Sequence, residues 1–355
     1  MSNLRINNIT DRTGNAGPII AGVSTVSTTG AFTVPVGPTE MRGGRGRGVM
    51  GGSTNVIDYV EIATTGNATD FGDLTETERS RPSACASSTR GIFAHGRDHP
   101  NYWATADYVT ISSKGGASEW GDMMRGKWSG AAASNATRGL FMGGYFPGTS
   151  GGELSAVRNM RKIEFIEIAS QGSVGDFGEI IANGNRSAGG VASPTRAVFM
   201  GGRYTSGVGP SWSVVTNVME YATIATKGNT LLFGDLVVDA NPGYAEPTGV
   251  SNATRGLCAG GILHPGGRLN TIQYITIATL GNATEFGDLT VERGLLAGMA
   301  SPTRGVFAGG SQPTTMNTID YVQIASTGNA ADFGDMVVAA SSIYGCSDAH
   351  GGLGE

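Results

Sequence analysis

The sequence predicts an all-β fold, a closed ring of six blades with four antiparallel strands each, and three observations point to it. The first is a unit that recurs six times, Asn55 to Thr75 in its first copy. The copies end in Phe71-Gly72-Asp73, Trp120-Gly121-Asp122, Phe177-Gly178-Glu179, Phe233-Gly234-Asp235, Phe286-Gly287-Asp288 and Phe333-Gly334-Asp335. In each, an isoleucine lies nine residues before the aromatic (Ile62, Ile111, Ile168, Ile224, Ile277, Ile324). A Tyr or Phe lies three before that isoleucine (Tyr59, Tyr108, Phe165, Tyr221, Tyr274, Tyr321). The aromatic advances by 49, 57, 56, 53 and 47 residues, so length varies only outside the unit, as in a repeat array. The second observation is 58 Gly against 13 Pro, which suits many tight turns between short strands. The third is that the first and last copies are incomplete in complementary ways.

Taken in order, residues 1–44 stand outside the repeat. LRINNIT alternates, GNAGP signals a turn, and IIAGVSTVSTTGAFTVPVG reads as two short Thr/Val/Gly strands. With few large apolar groups to offset its own ordering entropy, this segment is expected to be an extended arm fixed by other chains. Residues 45–355 are expected to form the ring. A second signature precedes each unit: RGVMGG at Arg47, TRGIFAHG at Thr89, TRGLFMGG at Thr137, TRAVFMGG at Thr195, TRGLCAGG at Thr254 and TRGVFAGG at Thr303. Each is a short apolar run between turn residues, the pattern of a buried strand. Five are preceded by small residues (SACASS, GAAAS, GGVAS, PTGVS, AGMAS), which suit an inner strand crowded around an axis. The unit is thus strand a (small residues), b (ending in Gly-Gly), c (Tyr-x-x-Ile) and d (Phe-Gly-Asp). The first unit lacks a strand a, whereas SSIYGCSDAHGG at 341–352 follows the last. Ser347-Asp348-Ala349 matches Ser134-Asn135-Ala136 and Ser251-Asn252-Ala253, so the C-terminal strand is expected to complete the first blade and remove the open edge.

These residues resemble kelch repeats over about 45–350. Trp120 stands at the kelch tryptophan position, and Phe replaces it in the other copies. The recurrent I-A-[TS]-x-G-N and F-G-D-[LM] depart from kelch and resemble a kelch-like subset in virion proteins of tailed phages, especially marine cyanophages; the opening LRINNITDRTGNAGPI is similar to N-terminal segments of phage fibre and tail proteins. The resemblance implies a six-bladed β-propeller in a non-enzymatic virion protein, associated with tail, neck or fibre and used in attachment or host-surface recognition. It implies several copies per assembly, contacts to other virion proteins through residues 1–44, and location in the virion after synthesis in the host cytoplasm. The alternative is a freestanding bacterial module that binds protein or glycan; a propeller hydrolase or oxidase is the third class.

Composition limits the partners. Charged residues make up 15% with a net charge of −5, and no basic run could neutralise a nucleic-acid backbone. No apolar run reaches a membrane span, so neither nucleic acid nor membrane insertion is expected. Cys85, Cys258 and Cys346 are odd in number and far apart, implying no disulfide framework.

The repeated Asp or Glu of F-G-D reads as fixing the turn after strand d, since a calcium loop needs several oxygen ligands close in sequence. The repeated Arg47, Arg90, Arg138, Arg196, Arg255 and Arg304 read as ties between neighbouring turns. The Asn-x-Thr triplets at Asn67, Asn135, Asn252 and Asn282 fall at turns, and the glycines of 43–48 lack the Lys-Ser/Thr of a phosphate loop. His95, His99, His264 and His350 have no metal-ligand spacing, so neither metal nor cofactor is expected. The informative residues are unrepeated. One face should carry uniform a–b and c–d turns. The other should carry the long, unlike b–c and d–a loops with Tyr102, Trp103, Tyr145, Phe146, Tyr204 and Trp212. These aromatics are the candidate ligand-binding residues, since flat rings stack on sugars or peptides at low entropic cost; packing as loop cores is the competing reading.

Overall fold

A computed structural model of the chain describes residues 46–146, 161–172, 174–181, 186–205, 213–238, 243–263 and 267–354. The expected arm at 1–44 and Trp212 lie outside the described residues. The described residues form a six-bladed β-propeller whose blades each run a-b-c-d in antiparallel order. In blade 2 these are Ser83–Ala86, Arg90–Ala94, Thr105–Thr110 and Ser118–Asp122. Blade 1 takes strand b from Arg47–Gly52, c from Thr54–Glu61 and d from Thr69–Asp73, and its strand a is Tyr344–Ser347 from the far end of the chain. The closing pair is in register from Gly48 opposite Ser347 to Gly51 opposite Tyr344. Asp348 completes the turn that no covalent link spans, its Oδ1 accepting from the Arg47 amide at 2.8 Å. Asn135 and Asn252 do the same for Arg138 and Arg255 in continuous turns, at 2.8 and 2.7 Å.

Each aromatic of F-G-D is a bulge residue. Ile57 pairs with Gly72 and Asp58 with Asp70, which leaves Phe71 as the extra residue; the same shift occurs in all six blades. A bulge twists the outer strand, here swinging the ring into the seam between blades. In five blades it meets the strand-c Tyr or Phe edge to face, at 5.9 Å for Tyr59 and Phe71. The repeated isoleucines and F-G-D aromatics are buried as expected, while Tyr59 and its counterparts are half-buried because the repeated arginines cover them. Arg47 stacks 4.6 Å over Tyr59 and Arg304 stacks 4.8 Å over Tyr321.

Three systems join blade to blade. Each repeated arginine bonds carbonyls at the end of the next blade's strand c, as in Arg47 to Ile111 and Arg304 to Ile62 and Ala63. The T-G-N-A turn reaches the other way: the Gly66 amide donates to Phe333 O and the Ala68 amide to Asp335 O, each at 2.8 Å. This leaves no room for a side chain, since a Cβ at Gly334 would stand 2.5 Å from the Gly66 oxygen. The turn thus grips the acid of F-G-D by its main chain, with Asn67 accepting from the Asp335 amide, and the Asp73 and Asp335 carboxylates are exposed. That corrects the expectation that the acid side chain fixes its own turn. The third system is a polar residue just before each strand-c aromatic. Asp58, Asp107, Glu220, Gln273 and Asp320 each accept an amide from the preceding blade, as Asp107 does from Thr75 at 2.9 Å.

Strands a line the axis, where small side chains let six strands approach. They enclose a cavity of about 80 Å³. His350 stops it at the a–b turn end, with Nε2 donating to Ala86 O at 2.8 Å and Nδ1 accepting from the Gly352 amide at 3.1 Å. Gly351 and Gly352 then lie against the Asn252 and Ser134 carbonyls too closely for any Cβ.

Candidate functional site

The opposite end of the axis opens among the b–c and d–a loops. Two residues before strand a, every blade places a residue in left-handed backbone: Arg81, Ser129, Ser187, Glu246, Leu295 and Ser342, with φ between 56° and 63°. Their amides form a closed circle. Ser129 donates to Arg81 O, Ser187 to Ser129 O, Glu246 to Ser187 O, Leu295 to Glu246 O, Ser342 to Leu295 O and Arg81 to Ser342 O. Left-handed backbone is costly for residues other than glycine, and here the circle enforces it. The circle rings this mouth of the axis, where the Arg81 and Glu246 side chains meet.

Around that circle, in blades 2 to 6, the residue before the left-handed position bridges to the b–c loop of its own blade: Ser80 to Arg97, Trp128 to Tyr145, Arg186 to Arg203, Ala245 to Ile262 and Gly294 to Ser311. Blades 2 to 4 therefore supply arginines and aromatics, and blades 5 and 6 small or apolar residues. Arg81 and Glu246, from opposite blades, meet across the axis at 2.6 Å. The same Glu246 oxygen takes Arg203 at 2.5 Å. Arg97 stacks 4.1 Å from the Trp128 ring centre and Arg186 stacks 4.6 Å from that of Tyr145. Trp128 and Tyr145 pack at 5.2 Å. Burial, and then the Arg203 charge, push the Arg186 guanidinium down to about 10. Burial and the Arg81 charge likewise lower Arg97.

Of the expected aromatics, Tyr145 belongs to this mouth. Tyr102, opposite Arg97 in the Arg97–Asp98 and Asn101–Tyr102 hairpin, interacts with the Arg97 charge from the outside. Trp103 turns away, its indole N–H donating to Glu78 O at 3.2 Å. Phe146 lies beneath Arg125 at 5.7 Å, and Tyr204 lies in the Arg203–Thr205 hairpin strand. All five described rings are half-buried, so the face joins recognition residues to loop-core packing rather than showing a free aromatic platform.

Sequence reasoning missed Arg81, Arg97, Trp128, Arg186, Arg203 and Glu246. No spacing marks them, because they converge from different blades, Arg81 and Glu246 being 165 residues apart. It also treated His95 as incidental. His95 is fully buried, its Nε2 3.0 Å from Glu164, which also holds Lys127 at 2.8 Å. Burial first, then Lys127, lower His95 to about 4; burial would raise Glu164, but the Lys127 charge and the His95 hydrogen bond hold it down at about 2. In blade 3 this cluster takes the place of the amide-accepting polar residue of the other blades. Buried charges of this kind are paired to offset desolvation.

Among the described residues no three His, Cys, Asp or Glu side chains come together to hold a metal. Cys85, Cys258 and Cys346 are free and buried. No helix of the described residues is long and apolar enough to cross a membrane. No protein-family model matches the chain, and no curated protein matches it.

Proposed function

We propose that the chain is a non-enzymatic recognition module, a virion protein of a tailed phage that holds its propeller on the particle and presents the long-loop face to the host surface. The observation that carries the recognition reading is the contrast between the two faces. One is built from repeated latches, with the axis stopped by His350 and the C-terminal turn. The other gathers unrepeated arginines and aromatics around the axial mouth. Repetition serves closure, whereas one-sided convergence of Arg, Trp and Tyr is the composition of binding surfaces. The virion assignment rests on the resemblance of the I-A-[TS]-x-G-N and F-G-D-[LM] units and of the N-terminal segment, which supplies the attachment to other virion proteins.

The test has two parts. Antibody against the propeller should decorate intact phage particles in electron micrographs, and labelled full-length protein should adsorb to host cells. Adsorption without any particle carrying the chain would favour a freestanding bacterial binding module. Particle decoration without adsorption would leave a structural spacer and remove the recognition role.

A further inference from the structure

We infer that the axial mouth on the long-loop face binds a tetrahedral oxyanion, a phosphate or sulfate monoester, between Arg81, Arg97, Arg186 and Arg203. Elsewhere in the molecule buried arginines are matched one to one: Arg79 sits 3.4 Å from Asp107 and Arg293 sits 2.9 Å from Asp320. At the mouth, four guanidiniums surround one carboxylate, Glu246, an excess of three positive charges among the described residues. Two of the four, Arg97 and Arg186, have no side-chain hydrogen-bond or ion-pair acceptor among the described residues and stack on the Trp128 and Tyr145 rings.

The polar atoms left over are chiefly donors. The Nε atoms of Arg81, Arg186 and Arg203 and the Trp128 indole N–H are buried without a partner; Glu246 Oε2 is the unmatched carboxylate acceptor. Buried donors in a finished structure are normally satisfied, and a cluster that gathers like charges and spare donors is completed by an acceptor-rich anion. Guanidinium forks match oxyanions of phosphate and sulfate type, offering paired N–H bonds that a single water could not neutralise. The site is reachable: the Arg81 and Arg203 side chains retain 14% and 20% exposure. Glu246 would repel an anion if it were alone, but it already spends its charge on Arg81 and Arg203 and fixes their position. Arg186, lowered by burial to about 10, stays protonated at neutral pH. That the anion is carried by a surface polysaccharide rests on the recognition reading above; the oxyanion site itself does not.

Isothermal titration of full-length protein at constant ionic strength tests this, using inorganic sulfate, inorganic phosphate, glucose 6-sulfate, glucuronate and glucose. Saturable binding of the sulfate and phosphate species is expected, with none for glucose. The Arg97→Gln/Arg186→Gln variant should bind them at least about tenfold more weakly, because two charge-assisted contacts are gone. If that variant does not fold, Arg186→Gln alone carries the comparison. Tighter binding of glucose 6-sulfate than of free sulfate supports a saccharide-borne ester, and equal binding supports a free-ion site. No binding beyond a chloride control, equal binding by the variant, or glucuronate binding as tightly as the sulfate ester would each overturn the inference. Cell adsorption unchanged in a variant that has lost sulfate binding would separate the two readings, leaving recognition intact and detaching the oxyanion site from it.

Discussion

Acid should weaken this propeller through one histidine. His95 is fully buried against Glu164, Lys127 and the edge of Phe141, and in the folded protein it takes up a proton only near pH 4, against 6.5 for a solvated imidazole. Its folded value is depressed, so between those limits the unfolded chain binds the proton and the folded chain does not. Stability is therefore full above pH 6.5 and falls as the pH drops towards 4. A difference of 2.5 units at about 1.36 kcal/mol per unit makes that loss about 3 kcal/mol, a large part of an ordinary domain's stability. Glu164, held at about 2, still carries its charge across this window, so the change belongs to the imidazole. The comparison protein is His95→Asn, because His95 has φ 64° and Asn tolerates that backbone while offering a donor to Glu164. The Asn variant cannot titrate. Urea unfolding of both proteins, followed by tryptophan fluorescence at pH 7.5 and 4.5, should show the wild type losing roughly 2 to 3 kcal/mol more than the variant. Any constant penalty of the substitution cancels in that comparison. Equal losses in the two proteins would mean that His95 does not carry the acid sensitivity.

Truncation after Ala340 removes strand a of blade 1, the Asp348 tie to Arg47 and the Ser347 bonds to Ala300; the shortened chain should unfold or oligomerise, and a monomer with an unchanged melting transition would contradict closure by the C-terminal strand. Phe233→Ala empties a seam position that is 3% exposed and packed edge on to Tyr221, and should cost about 3 to 5 kcal/mol in urea unfolding; a loss under about 1 kcal/mol would show the bulge ring to be dispensable. Burial pushes the Cys85 and Cys258 thiols up to about 12 and the Cys346 thiol well above the usual range. A thiol reagent at pH 8 should thus label none of the three before denaturant is added and all three after, and fast native labelling would mean that the axial strands open.

The parts of this architecture that repeat were legible in the chain. Fixed Tyr-to-Ile and Ile-to-Phe distances locate strands c and d, and the match of Ser347-Asp348-Ala349 to Ser134-Asn135-Ala136 identifies the closing strand. Such signals exist because every blade solves the same packing problem with the same residues. The polar residue ahead of each strand-c aromatic was equally periodic, yet an acid in an alternating strand reads as solvent-facing until its neighbours are known; Asp107 is buried because Thr75 and Arg79 reach it from outside its strand. The mouth carried no local sign at all. Trp128 and Arg186 lie in different d–a segments, and only the circle of backbone bonds brings them together. The F-G-D acid shows the converse limit, since a conspicuous side chain marked a place where the main chain forms the contact.

The circle of six left-handed residues separates scaffold from chemistry. Its bonds run from amide to carbonyl, so the path of the chain at the mouth is set without reference to any side chain, and the six now present already include two of opposite charge, three hydroxyls and one aliphatic. What the backbone does restrict is branching: a β-branched residue at φ near 60° is strongly disfavoured, and none of the six is Val, Ile or Thr. The mouth is thereby an interchangeable lens on a fixed mount. Recoding Leu295 or Ser342, the half-buried uncharged members of the circle, to Asn, Lys or Gln should change the lining of the mouth while the six blades stay as they are.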